Sequence, residues 1–283
     1  MKPRSLTIRK IKNSVINSLS AFSALIGLFI LGWILFTVVG KGFSAFSWEF
    51  FTELPKPPGL GGGGLANAIL GTVLLTVLAT IIGVPFGLLA GIYLSEFGGN
   101  SKFATWVRFF ANILMGTPSI IIGIFVYTLI VIPAGNFSAY AGAIALAIMM
   151  FPVVARTTDD MLQLVPSAIR ESALALGAPR WRTILQIVFR SAKNGLITGI
   201  LLAVARVSGE TAPLLFTALN SPYWFSGLNG PTSNLTVTIF NYAMSPYEDW
   251  QQMAWGAALL ISAGVLAVTI SARFLLKEKR IKN

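Results

Sequence analysis

The 283-residue sequence is 55% hydrophobic and 11% charged, with a mean hydropathy of +0.75, whereas a soluble globular domain carries about 25% charged residues. It contains no cysteine and no histidine, which removes disulfide scaffolding, thiolate nucleophiles, histidine acid–base chemistry and the usual zinc ligand sets. The formal net charge of +11 suits either nucleic acid or anionic lipid, so the positions of the charges must decide.

The N-terminal stretch MKPRSLTIRKIKNSV holds five Lys/Arg and precedes an apolar run from Ala21 to Val39. The core of a signal peptide is about 7–15 residues and ends in a small-residue cleavage pattern. This run is longer, close to the ~20 residues needed to cross a bilayer, and no A-x-A pattern follows. Residues 18–39 are therefore expected to form a retained first span. Beyond it, PKPP and GLGGGG (residues 55–64) read as a linker, stiff in its first half and free in its second. No Lys-Ser/Thr follows the glycines, as a phosphate-cradling loop would require.

Further spans are expected at residues 67–94, 109–132, 138–155, 195–218 and 253–276. The predicted fold class is all-α: one polytopic membrane domain of six helices over 18–276, with short tails at 1–17 and 277–283. Gly, Ala, Ser and Thr are frequent in the spans and permit close helix packing. Pro85, Pro118 and Pro213 fall inside spans, where neighbouring groups tolerate a kink. Thr117 and Ser119 flank Pro118 and offer hydroxyl donors if the third span is broken there.

Arg156 closes the fourth span, either as an anchor at the membrane edge or as a pathway residue. Asp159 and Asp160 follow it and are expected to be solvated, since adjacent carboxylates on a helix point in different directions. The long connection at 156–195 contains VPSAIRESALALGAPRWRTILQIVFR and reads as two helices. Ser167 is the expected N-cap of the first, Gly177 ends it before Pro179, and the second resumes near Arg180 with Ile184, Ile187 and Val188 at helical spacing. Such an element either lies on the membrane surface or docks a partner.

The fifth span carries LAVARVSGETAPLLFT from Leu202, with Arg206 and Glu210 one turn apart on one face. An arginine in mid-membrane costs about 2.5–3.5 kcal/mol even on mild scales, so a partner charge, water or an anion must offset it. Ser208 and Thr211 add hydroxyls. The pair serves either transport or helix register. Residues 220–252 are free of basic side chains, and Tyr223, Trp224, Phe225, Tyr247 and Trp250 read as an interfacial belt or as contacts for an outside partner. With six spans, the N-terminal tail, 95–108, 156–195 and the C-terminal tail share one side and hold 18 of 21 Lys/Arg. Both termini are expected to be cytoplasmic, and the charge follows membrane orientation rather than nucleic acid.

ESALALG followed by IVF resembles the E-A-A loop of the membrane subunits of ABC importers (MetI-like). Glu171, Ala173, Gly177 and Ile187 match, while Ser172, Phe189 and Arg190 depart from the pattern. NAILGTVLLTVLATIIGVPFGLLAGIYLSEF, GTPSIIIGIFVY, ARTTDDMLQLVP and ARVSGETAPLLFTAL further resemble the PstA family of phosphate-importer permease subunits. This resemblance implies an inner-membrane subunit without catalytic or metal residues of its own. Glu171, Ser172, Ala173, Leu174 and Gly177 would dock an ATPase, and Arg206, Glu210, Arg156, Ser208, Thr211, Thr117 and Ser119 would line a phosphate path. It also implies a second, PstC-like permease, two PstB-like ATPases and a PstS-like outer binding protein. No Walker A pattern occurs in the sequence, so no cofactor is expected on this chain, and ATP with magnesium would bind the partner ATPase. Residues alone leave open an ABC permease for another solute, a secondary transporter without an ATPase, or a structural membrane scaffold.

Overall fold

The computed structural model describes residues 6–99 and 101–275, which are helical throughout their regular structure. The first helix, α1 (Leu6–Gly42), is followed by the short α2 (Trp48–Thr52), α3 (Ala66–Ile92), α4 (Lys102–Gly116) and α5 (Ser119–Val126). The turn α6 (Ile132–Ala134) leads to α7 (Ala139–Gln163) and α8 (Ser167–Ala175). Then come α9 (Arg180–Arg182), α10 (Phe189–Ser208), α11 (Ala212–Leu215), α12 (Leu235–Ala243) and α13 (Glu248–Leu275). Wide, π-type turns at Tyr93–Gly98, Tyr127–Val131 and Thr183–Val188 continue α3, α5 and α9. By length and composition five described helices can cross a membrane, and six can if the bent pair α4–α5 counts as one.

The centre of the bundle is the seam between α3 and α7. Gly71, Leu75, Ala79, Gly83, Gly87 and Gly91 are buried at every fourth position of α3, a single stripe along the helix. A Cβ on Gly83 would lie 3.1 Å from Met150 Cβ, and one on Gly87 would lie 2.7 Å from Val154 Cβ. Glycine therefore lets the two backbones approach, the means by which apolar helices associate where water supplies no driving force. Register along the seam rises in both helices, so α3 and α7 run parallel. On the other side of α7, Gly195 meets Met161 and Gly199 meets Thr157, so α10 runs antiparallel to it.

This topology gathers the chain into two ends. Leu162, Val165, Val188, Ala192 and Leu196 pack together at the basic end. Phe50, Leu65, Ala68, Leu235, Tyr242, Ala254 and Ala257 pack at the aromatic end. Phe225 packs against the central core and Trp250 stacks on Tyr242 at 4.3 Å, so these two are packing residues rather than belt residues. Tyr223 and Trp224 are exposed. The glycines of the 55–64 linker take positive φ at Gly59, Gly61, Gly62 and Gly63, the freedom expected of that half. Among the described residues the apolar shaft of α1 is left unburied, and its C-terminal end meets α13, where Gly42 lies against Trp255 and Leu259.

Several expected boundaries move. α1 already begins at Leu6, within the expected tail, while residues 277–283 lie outside the described residues. The fourth span extends to Gln163 and the fifth runs from Arg180 to Ser208, so the connection expected at 156–195 shrinks to 164–179. Its second helix is the start of the fifth span, because the wide turn at 183–188 carries the helix on without a break. The third span is broken by 103° at Thr117–Pro118, where Thr117 turns extended and Pro118 caps α5. Pro166, not Ser167, occupies the N-cap of α8, and no side chain caps that helix.

Candidate functional site

Arg206 and Glu210 lie where α10 ends rather than in mid-span. Arg206 is in the last helical turn and Gly209 is the C-cap, a position where a cation faces the negative pole of the helix. Its Nε is 3.9 Å from Glu210 Oε1, with side-chain exposures of 52% and 18%. That spacing is an ion pair without a hydrogen bond, so the five N–H donors of the guanidinium remain available to an oxyanion. Glu210 is held from behind. Its backbone N–H donates to the Val207 carbonyl at 3.2 Å, and its own carbonyl lies 2.8 Å from Thr236 Oγ1. Thr236 is set in turn by Asn234, whose Oδ1 accepts from Val237 N–H and caps α12.

The other expected pathway residues divide. Thr211 is half-buried at the start of α11 and caps no backbone donor. Thr117 donates to the Ile113 carbonyl at 2.8 Å within its own helix, and Ser119 opens α5. The two breaks meet: Gly123 of α5 is so close to Pro213 of α11 that a Cβ there would lie 2.6 Å from Pro213 Cα. Ser208 does not join them. It donates to Ala205 at 2.9 Å and faces an apolar groove of about 330 Å³ with Thr72, Val204 and Leu260.

Arg156 belongs to a different place. With Thr157 opposite Gly199, a rise of 1.5 Å per residue sets it ~9 Å from Arg206 along the axis. Its Nε is 3.1 Å from Asp160 Oδ2, both side chains being about half exposed. The pair borders a cleft of about 470 Å³ with Arg108, Asp159, Ser95 and Gln163. From sequence Asp159 is expected to be solvated; it is instead 1% exposed. It accepts from Arg108 Nε at 2.8 Å and from Gln163 Nε2 at 2.6 Å. The aspartates do diverge by helix geometry, one to Arg108 and one to Arg156. Nothing in the sequence singles out Arg108, which lies 51 residues from its partner.

At the basic end, α8 presents Glu171, Ser172 and Leu174 outward, with Leu176 89% exposed. Ala173 is 5% exposed and faces the bundle, so it supports the expected docking face from beneath rather than forming part of it. Gly177, at φ +83°, closes the helix by donating to Leu174 at 2.9 Å. Trp181 and Leu185 continue the exposed apolar surface. A cavity of about 700 Å³ opens at the aromatic end, lined by Lys56, Asn67, Asn220, Asn241, Tyr242 and Trp250 among others.

The sequence profile described as "Binding-protein-dependent transport system inner membrane component" matches residues 83–281. The "Phosphate transport system permease protein PstA" of Yersinia pestis is 50% identical, over 96% of this chain and 92% of that one. The protein of the same name in Haemophilus influenzae is 49% identical, over 96% of both chains. Among solved structures, a chain of a "bacterial alginate ABC transporter in complex with alginate pentasaccharide-bound periplasmic protein" superposes with a TM-score of 0.67. That match spans 97% of this chain and 98% of the other at 12% identity, a likeness of fold.

Proposed function

The chain belongs to the binding-protein-dependent transport system inner membrane components, within their PstA permeases, and from that premise we propose that it carries inorganic phosphate across the bacterial inner membrane. The observation that carries this reading is the guanidinium of Arg206, partly exposed at a helix end with its N–H donors unbonded. Phosphate is a hydrated mono- or dianion at neutral pH. It needs donors along its route that do not hold it too firmly, and a planar arginine fork matches its oxygens. Glu210, one turn away, tempers that attraction and favours release. Thr211 and the break at Thr117–Ser119 stand next along the route, and Arg156 follows toward the basic end. Ser208 is not part of it.

Both termini are cytoplasmic in this reading, because the basic end holds the loops rich in Lys/Arg. The outward face of α8 and Trp181 receives an ATPase subunit of the PstB kind, which binds ATP and magnesium. This chain supplies no nucleotide site. A PstC-like permease completes the pathway and a PstS-like binding protein delivers phosphate outside. Closure of the ATPases moves α8 and switches the bundle between inward and outward access.

Reconstituting the chain with these coexpressed partners tests the proposal. Phosphate, and not sulfate, is expected to stimulate ATP hydrolysis and to accumulate with it. An assembled complex that hydrolyses ATP without any response to phosphate would overturn the substrate.

A further inference from the structure

Two arginines close on the same pair of segments at the basic end. Arg170 of α8 places Nη2 2.7 Å from Glu96 Oε1 and 2.7 Å from the Leu162 carbonyl. Its Nη1 donates to the Val165 carbonyl at 2.5 Å, and its Nε lies 3.2 Å from Glu96 Oε2. Arg108 of α4 donates through Nε to Asp159 at 2.8 Å, through Nη2 to the Leu94 carbonyl at 2.8 Å, and through Nη1 to the Gly99 carbonyl at 3.3 Å. All these acceptors fall in residues 94–99, at the end of α3, or 159–165, at the end of α7. Glu96 and Asp159 side chains are 8% and 1% exposed.

The local backbone prepares this arrangement. The wide turn at Tyr93–Gly98 interrupts the i→i−4 ladder, and Leu94 turns its carbonyl to an arginine. Such turns recur at functional positions. α8 has nine residues between Pro166 and Leu176 and buries only Ala173, so little apolar packing attaches it to the bundle. Arg170 supplies the attachment instead, through a planar fork that holds direction as well as distance. On the far side of the clamp, α4 leads from Arg108 to the 103° break, and α5 beyond it rests on α11, which follows Glu210.

We propose that Arg170–Glu96 and Arg108–Asp159 form one clamp that passes movement of α8 to α4 and the broken third span. Arg170 and Glu96 act as positioning residues that couple ATP hydrolysis to transport. The inference rests on the reading of α8 as the ATPase-facing helix. Without the clamp, α8 swings on its Pro166 and Gly177 ends while the spans stay where they are. Hydrolysis then proceeds and transport does not.

The test uses the coexpressed complex carrying Glu96→Gln, Arg170→Lys or Arg170→Ala. Copurification of the ATPase and the basal hydrolysis rate are expected to persist in Glu96→Gln and Arg170→Lys. Phosphate moved per ATP hydrolysed should fall about tenfold or more in Arg170→Ala and less in Arg170→Lys, which keeps the charge but not the fork. Because the chain has no cysteine, spin labels at Ala168→Cys and Lys102→Cys report the spacing of α8 and α4 directly. That spacing should be the same with and without ATP in the parent chain and should become nucleotide-dependent in Glu96→Gln. The clamp is refuted by unchanged phosphate per ATP together with unchanged spacing in Glu96→Gln. It is equally refuted if Glu96→Gln and Arg170→Lys both lose the ATPase, since the pair would then hold the docking face. A parent complex that moves no phosphate refutes the substrate instead, and the label spacing still tests the clamp.

Discussion

Arg206–Glu210 and Arg108–Asp159 are each an arginine and a carboxylate in an apolar bundle, yet their settings are opposite. The first pair is 3.9 Å apart, half open to its surroundings, and makes no side-chain hydrogen bond between its members. The second is 2.8 Å apart, with Asp159 buried and every arm of Arg108 engaged. Desolvating two charges is repaid only when geometry is good and the remaining donors are satisfied. Arg108 meets that condition, with four of its five N–H donors engaged, and has little left for a passing anion. Arg206 does not meet it, and its donors stay available. Bonding, rather than charge, separates the structural arginine from the one proposed to meet phosphate.

The contrast breaks most visibly at Asp159. Asp159→Ala leaves the Arg108 charge without its partner, which costs about 3–5 kcal/mol when a buried pair loses one member. Thermal unfolding of the detergent-solubilised complex should show a large fall in midpoint and a fall in yield. Arg206→Gln, at an exposed pair worth about 0–1 kcal/mol, should leave the midpoint nearly unchanged. Equal losses in both would erase the distinction.

Transport should invert the ranking. Arg206→Gln, assembled normally, is expected to lower phosphate uptake about tenfold or more, a single lost charge-assisted bond of about 1.5–3 kcal/mol being enough. Glu210→Gln should do less and differently: with nothing to temper Arg206, KM falls while the maximal rate falls a few-fold. Kinetics of uptake at varied phosphate distinguish the two. Normal uptake by Arg206→Gln would remove it from the route.

Six hydrophobic runs were legible in the sequence because lipid demands length and apolarity, and the E-A-A loop because it is local. The pair at Arg206 was legible for the same reason, as a charge inside an apolar run. What was not legible depends on contacts across the chain. Arg108 and Asp159 look like two ordinary loop charges until the parallel course of α3 and α7 brings residues 94–99 beside 159–165. Span ends also moved, since the wide turn at 183–188 continues a helix through polar residues that hydropathy assigns to a loop. Ala173 matched the family pattern and proved to face inward, the one position of α8 buried against the bundle while Ser172 and Leu174 on either side stay exposed.

Tyr242 sharpens the comparison by showing a third outcome for a titratable group, which is to remain neutral. At the aromatic end it is 5% exposed and stacked on Trp250. Burial, and then the charge of Asp249, push its pKa from 10.0 up to about 12. The folded protein thus holds the phenol proton more tightly than the unfolded chain does. Stability from this source is fully present below pH 10 and is lost as pH rises from 10 toward 12. Tyr242→Phe has no proton to lose. Its unfolding free energy should track the parent's at pH 7–9 and exceed it at pH 11, by a difference on the order of 1–2 kcal/mol. Parallel curves across that range would mean that water reaches the phenol, and the aromatic end would then be as open as the surroundings of Arg206.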